Sequence, residues 1–357
     1  MIETSKKKIL FLSLSLRKGG AENQLMKLAI FLSRRNFEIF IIYFVEGNDF
    51  KDRLKNENIR IEEINIISIK GLKRYNSELK KIKPDIIISF MFGANMIGRF
   101  SKIMHKVPLI TSVRNNQISL KYKFLYRYSY KIDTITTFNS QYALNKFIEL
   151  KLTDPKKSIL IKNAIEIAKN YKSSIVNDDF VLISLAHFRP QKDYYTLFYS
   201  IEILIKRGFK VKLIVLGHLY NQKWPEELIS KLNLEKHIEL VGFTNNTFEY
   251  LKKSDALILS SMWEGTPNAL LEGMAAKLPV IATNISGNRE LIVNSKSGYL
   301  FEVGKPLELA ERIKKLIVMP SNERENIGLK GYDFVLNNYH SDKVHNEWLE
   351  LINNNIK

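Results

Sequence analysis

The chain has no cysteine, which excludes disulfides, zinc–thiolate sites and cysteine nucleophiles. No Asp-x-Asp triplet occurs, so a diphosphate site bridged by a metal on such a pair is not expected, and no metal ligand is expected. The six histidines are scattered without metal-ligand spacing. Neither a Gly-x-Ser-x-Gly elbow nor a His-Glu-x-x-His helix is present. No apolar run approaches the roughly 20 residues that span a bilayer, so a soluble chain is expected. The segment "KKKILFLSLSL" (6–16) joins three lysines to an apolar run, but Arg17-Lys18 follow and a small-residue cleavage site does not. It reads as a first β-strand rather than a signal peptide.

Acidic residues are scarce in one half only. Residues 1–173 hold 33 Lys and Arg against 15 Asp and Glu, whereas the rest of the 357 residues hold 22 of each. The whole net charge of +18 therefore belongs to the first half. Such asymmetry points to an anionic partner: a membrane surface, a phosphate-bearing lipid carrier or nucleic acid.

What is abundant is the apolar strand. "KILFLSLS", "FEIFIIYF", "IRIEEI", "DIIISFM", "PLITSV" and "DTITTF" are separated mostly by amphipathic helical segments, and near-continuous apolar strands of this kind build parallel sheets covered on both faces. The pattern pauses in the polar stretch 165–179 and restarts with "FVLISLA", "KVKLIVLG", "IELVGF", "DALILSS" and "PVIAT". Two doubly wound α/β units follow, with a boundary near 172. In such sheets ligands bind at the carboxyl ends of strands.

Chemistry is concentrated in the loops after strands. "WEGTPNALLEGMAA" (263–276) places Glu264 just beyond a strand, Thr266 as N-cap, Pro267 at the first helical position, and Asn268 and Glu272 on one helix face. The exposed amides around 267–269 make an anion site, and carboxylates accept hydrogen bonds from vicinal diols. The spacing alone equally allows a capped surface helix with two solvated glutamates. "LAHFRPQKDYYTL" (185–197) repeats the layout with Arg189 and Lys192, two cations suited to a diphosphate or simply to solvent. Gly19-Gly20 ends the first strand with a turn where backbone can approach a ligand. "SGNRELI" adds Gly287 and Glu290, without meaning by itself. The basic-aromatic stretch "KYKFLYRYSYK" (121–131) suits a membrane interface through its cations. Its Phe124, Leu125 and Tyr128 are expected to pack on the sheet.

Together these pieces resemble the family 4 (group 1) glycosyltransferases of the two-domain GT-B fold. The resemblance covers most of the chain and rests on motifs in order: Gly-Gly after the first strand, "IKNAI", "RPQK", the glutamate pair with seven residues between, and "GNRELI". It implies an α/β fold of two Rossmann-like, doubly wound parallel-sheet domains facing a central cleft. These would be an acceptor domain (1–172), a nucleotide-sugar domain (173–335) and a C-terminal helix (336–357) packing back on the first domain. It implies a retaining, metal-independent glycosyltransferase with no cofactor, moving a sugar from a nucleotide diphosphate sugar, UDP favoured, to a saccharide or lipid-diphosphate-linked acceptor. By position, Arg189 and Lys192 would hold the diphosphate, Glu264 the sugar hydroxyls and Glu272 the ribose. Gly265 and the amides of Asn268, Ala269 and Leu270 would complete the donor cradle. Gly19, Gly20 and Arg114 would lie on the acceptor and phosphate side, Arg114 standing where many members carry a histidine. His187 stands where an arginine is common, and Arg189 is expected to supply that guanidinium. The setting would be capsule or O-antigen assembly, cytoplasmic and peripheral on the inner face of the plasma membrane, with an anionic membrane surface and no nucleic acid as partner. The rival readings are a glycoside hydrolase, a GT-B nucleotide-sugar epimerase or hydrolase, and a basic nucleic-acid-binding protein.

Overall fold

Apolar runs form the buried strands of two parallel sheets. The computed structural model describes residues 6–167, 179–244 and 246–356, so the expected boundary at 172 lies outside the described residues. The chain divides into one unit of Met1–Ala164 with Asp342–Lys357 and a second of Ile165–Ser341.

In the first unit the strands are β1 (Lys7–Ser13), β2 (Phe37–Tyr43), β3 (Arg60–Glu63), β4 (Ile86–Phe90), β5 (Leu109–Val113), β6 (Ile135–Phe138) and β7 (Ser158–Leu160). They pair in the order β3-β2-β1-β4-β5-β6-β7, every pair parallel. Alternate residues of β1 feed opposite faces: Ile9 and Phe11 enter one core cluster, Leu10 and Leu12 another. Helices therefore cover both sides, and the edge strand β3 carries the polar "RIEE". The helix Ser341–Asn353 sends Val344, Trp348, Leu351 and Ile352, spaced as one helical face, into the cluster of Ile9 and Phe11. The resemblance implied a returning helix over 336–357; the helix begins at Ser341, and 336–339 belong to the preceding helix Ser321–Tyr339 in the second unit.

The second unit repeats the logic with β8 (Phe180–Leu185), β9 (Val211–Leu216), β10 (Ile238–Gly242), β11 (Ala256–Leu259), β12 (Val280–Thr283) and β13 (Gly298–Phe301). Their order is β10-β9-β8-β11-β12-β13, again all parallel. Strand order reverses between β1 and β4 in one sheet and between β8 and β11 in the other. At such a reversal the following helices diverge and leave a crevice at the carboxyl edge.

One packing expectation is overturned. In the helix Leu120–Ser129, Phe124, Leu125 and Tyr128 are 64%, 38% and 73% exposed, while Tyr126 is fully buried. A polar anchor selects the buried face. Arg99, on the helix Phe92–His105, lies 4.0 Å over the Tyr126 ring and donates from Nη1 to Ser129 Oγ at 2.8 Å. Leu120, Phe124 and Tyr128, four apart, are left as an outward stripe flanked by Lys121, Arg127 and Lys131.

Arg99 itself is 2% exposed and pairs with Asp133 through two hydrogen bonds, Nε to Oδ1 at 2.8 Å and Nη2 to Oδ2 at 2.6 Å. The hydroxyls of Thr111 and Thr136 also donate to Asp133 Oδ2. Removing one partner of a buried pair strands the other charge. Asp133→Ala should therefore cost about 3–5 kcal/mol of stability in urea unfolding, and the double change Arg99→Met with Asp133→Leu should cost much less. Equal losses would assign the stability to packing instead of charge.

Candidate active site

The β8–β11 reversal is where the chemistry-bearing loops meet. After β8 the backbone turns at Ala186, whose carbonyl accepts from the hydroxyl of the buried Tyr194. A Cβ on Gly217 would lie 2.0 Å from that carbonyl oxygen, so only glycine lets the end of β9 pass there. Phe188 stacks on Tyr194 at 4.1 Å and fixes the turn, leaving Arg189 exposed with Nη2 donating to the Tyr220 hydroxyl at 3.1 Å. Pro190–Lys192 form a single 3-10 turn. Asp193, at φ 46, then caps the helix Tyr194–Lys206 by accepting from the Thr196 amide.

Residues 260–264 are tied to this turn at four points. Ser260 Oγ donates to the Lys192 carbonyl, the Met262 amide donates to the Gln191 carbonyl, and Gln191 Nε2 donates to the Trp263 carbonyl. Lys192 Nζ donates to Glu264 Oε1 at 2.5 Å, with the two side chains only 20% and 12% exposed. A half-buried lysine–carboxylate pair at a strand's carboxyl end offers a cation and a hydrogen-bond acceptor to one ligand.

The helix Asn268–Ala275 begins one residue later than expected. Pro267, at φ −74 and ψ 117, is the cap residue, and no side chain caps the helix, so Thr266 does not have the N-cap role read from sequence. The extended ψ of Pro267 delays the helical turn to Asn268, and the amides of Asn268, Ala269 and Leu270 form its amino end. Glu272 lies one turn along, half-buried, on the face of Asn268. The Glu264–Gly265 backbone is backed by Gly287, whose built Cβ would sit 2.0 Å from the Gly265 carbonyl oxygen. Asn288 donates to Thr283, and the Thr283 hydroxyl donates to the Ser261 carbonyl, locking the same loop.

The remaining expected residues lie in the first unit. Gly20 opens the helix Gly20–Ser33, and Gly19 is extended at φ −155, a conformation any residue adopts. The space beside Gly19 is taken by the Glu22 carboxylate, 2.3 Å from a built Cβ, so the glycine accommodates a side chain of its own helix. Arg114 follows β5 directly and is 9% exposed.

Sequence reading passed over one cluster. His187, His218, Tyr220 and Phe243 gather beyond β8, β9 and β10, with His218 stacked on Phe243 at 4.8 Å and 9°. The His187 Nδ1 accepts from the His218 amide at 3.0 Å. The available signal was an aromatic residue directly after a strand-ending glycine, as in Gly217-His218 and Gly242-Phe243.

Residues 166–334 match the family described as Glycosyl transferases group 1, and residues 18–169 match Glycosyltransferase Family 4. An uncharacterized glycosyltransferase of Methanocaldococcus jannaschii is 30% identical over 282 residues, spanning 70% of this chain and 68% of its own. The chain belongs to the family 4, group 1 glycosyltransferases. An Escherichia coli relative, UDP-Gal:alpha-D-GlcNAc-diphosphoundecaprenol alpha-1,3-galactosyltransferase, is 28% identical and covers 81% of the chain and 82% of itself. The structure of Anabaena HepE with UDP and glucose is similar at a TM-score of 0.85 and 21% identity, over 98% of this chain and 100% of that one. This likeness shows the fold: the glycosyltransferase has the paired parallel-sheet units of GT-B enzymes. No helix among the described residues is long and apolar enough to cross a membrane.

The close approach at Gly287 gives a direct check on how the site is held. Gly287→Ala pushes a methyl group into the Gly265 carbonyl and should lower stability by about 1–3 kcal/mol. Calorimetry should show the fall with secondary structure intact. An unchanged Tm would mean that the 264–265 loop yields freely.

Proposed function

We propose that this glycosyltransferase moves a sugar from a nucleoside diphosphate donor, a UDP-sugar for preference, to a hydroxyl of a lipid-diphosphate-linked saccharide, retaining anomeric configuration and needing no metal. The observation that carries the reading is the clipped pair of loops at β8 and β11, with Lys192 bound to Glu264, Arg189 in the same turn, and the amino end of a helix following. Cations and helix amides suit a diphosphate, and carboxylates suit sugar and ribose hydroxyls.

In this reading Arg189, Lys192 and the amides of Asn268, Ala269 and Leu270 hold the diphosphate, with Gly265 leaving room beside it. Glu264, oriented by Lys192, accepts from hydroxyls of the donor sugar, and Glu272 from the ribose. The anomeric C–O bond breaks with its electron pair passing to the β-phosphate, where preorganised cations stabilise the charge. The acceptor hydroxyl forms the new C–O bond on the same face and gives its proton to the departing phosphate oxygen. Gly19 and Gly20 belong to the acceptor side.

The lipid-linked acceptor is supported by the name of the E. coli relative, whose acceptor is a GlcNAc linked to diphosphoundecaprenol. It fits an enzyme of capsule or O-antigen type polysaccharide assembly, working at the cytoplasmic face of the membrane. The outward stripe of Leu120, Phe124 and Tyr128 among Lys121, Arg127 and Lys131 suits an anionic bilayer surface.

Calorimetric binding of UDP-, GDP-, ADP- and dTDP-sugars with EDTA present tests the donor reading. One nucleotide series should bind saturably, and Arg189→Ala with Lys192→Ala should weaken it by more than about 100-fold, at roughly 1.5–3 kcal/mol per charged hydrogen bond. Glu272→Ala should weaken it further from wild type. Binding indifferent to these changes, or a covalent sugar trapped on Glu264, would overturn the assignment. For the membrane arm, Phe124→Glu with Tyr128→Glu should abolish co-sedimentation with phosphatidylglycerol vesicles; equal binding to neutral vesicles would count against it.

A further inference from the structure

The first sheet buries two arginines at opposite electrostatic extremes. Arg99 is neutralised by Asp133. Arg114 is 9% exposed, and each of its recorded partners is uncharged. Its Nε donates to Ser112 Oγ at 2.8 Å, and Nη1 donates to Asn163 Oδ1 at 3.0 Å. Two aromatic rings flank the guanidinium, Phe90 at 5.0 Å and Trp348 at 5.6 Å, and these rings stack on each other at 6.0 Å. Nη2 makes no hydrogen bond among the described residues.

Burying a cation without a counter-charge is costly, and ring faces return only part of that cost. Burial pushes the Arg114 guanidinium down to about 9, well below its ordinary range, with no acidic neighbour opposing the shift. Folding gains little from such a group. A bound anion would supply the missing charge.

Its place in the sheet suits a ligand. Phe90 ends β4, Arg114 follows β5, Asn139 follows β6, and Asn163 lies just beyond β7. Asn139 Nδ2 donates to the same Asn163 Oδ1 at 3.4 Å, so polar groups from successive strand ends converge at the carboxyl edge. With Nε and Nη1 committed and the Phe90 and Trp348 rings close by, the Nη2 edge is the part left for a planar or tetrahedral oxyanion.

We propose that Arg114 recognises an oxyanion, phosphate or carboxylate, carried by the saccharide substrate, and that Trp348 of the returning helix is the residue positioning it. The assignment rests on the transferase reading above, and it makes an anionic substrate a requirement of this chain. The phosphate of a lipid-linked acceptor and the carboxylate of a uronic acid are the two sources of that chemistry.

The test uses the full chain carrying Arg189→Ala and Lys192→Ala, which removes the other cation pair. Inorganic phosphate and glucuronate are titrated separately by calorimetry, before and after adding Arg114→Met, Arg114→Lys or Trp348→Phe. Arg114→Met should weaken the bound anion at least about 10-fold, and Arg114→Lys should keep part of the binding. Trp348→Phe should fall between wild type and Arg114→Met. Arg114→Met should also leave Tm unchanged or raised, because an uncompensated buried charge has gone, whereas a purely structural arginine would lower it. Binding of phosphate alone assigns the acceptor phosphate, and binding of glucuronate alone assigns a uronate. No binding of either anion, or affinity unmoved by Arg114→Met, overturns the proposal. UDP binding, measured separately with Arg189 and Lys192 restored, reports on the donor reading and is expected to survive Arg114→Met.

Discussion

The parallel pairing of β8 with β11 is the constraint on which the candidate active site depends. It brings Ala256 beside Leu182 and so sets the loop carrying Lys192 against the loop carrying Glu264, 72 residues further along the chain. Three backbone-directed hydrogen bonds then clip those loops together before any ligand arrives. Preorganisation of this kind matters because a cation that must first be drawn into place gives up binding energy to that movement.

Glycine supports the arrangement by leaving room, not by flexibility. Gly217 and Gly287 each admit a carbonyl oxygen where a methyl group would collide. Gly19 serves differently, since the space beside it holds Glu22 of its own helix. A glycine in a strand-end loop is therefore ambiguous until its neighbours are known.

The two buried arginines of the first unit are held in different ways. Arg99 with Asp133 fixes which face of the helix Leu120–Ser129 turns inward, and so leaves an apolar and basic stripe outside. Arg114 has rings and neutral oxygens and, among the described residues, no paired acid. One guanidinium is thus neutralised by a carboxylate, and the other is held by hydrogen bonds to uncharged groups and by ring contacts.

Local pattern was enough to read the two α/β units, eleven of the thirteen parallel strands among the described residues (the short β7 and β13 were passed over), the placement of Arg189, Lys192 and Glu264 beyond strand ends, and that of Glu272 on the helix that follows. Strand length, apolar continuity and turn chemistry are short-range properties written directly in the residues. Other features stayed hidden because they depend on partners far along the chain. Tyr126, not Phe124 or Tyr128, is buried because Arg99 and Ser129 anchor it, and no periodicity within residues 120–129 reveals that. The aromatic cluster of His187, His218 and Phe243 exists only once three strands stand side by side. The sequence by itself determined where most of the strands lie and which loops follow them. Only the tertiary structure decided which of those loops meet, because pairing order and the neutralisation of buried charge are set by contacts between residues tens of positions apart.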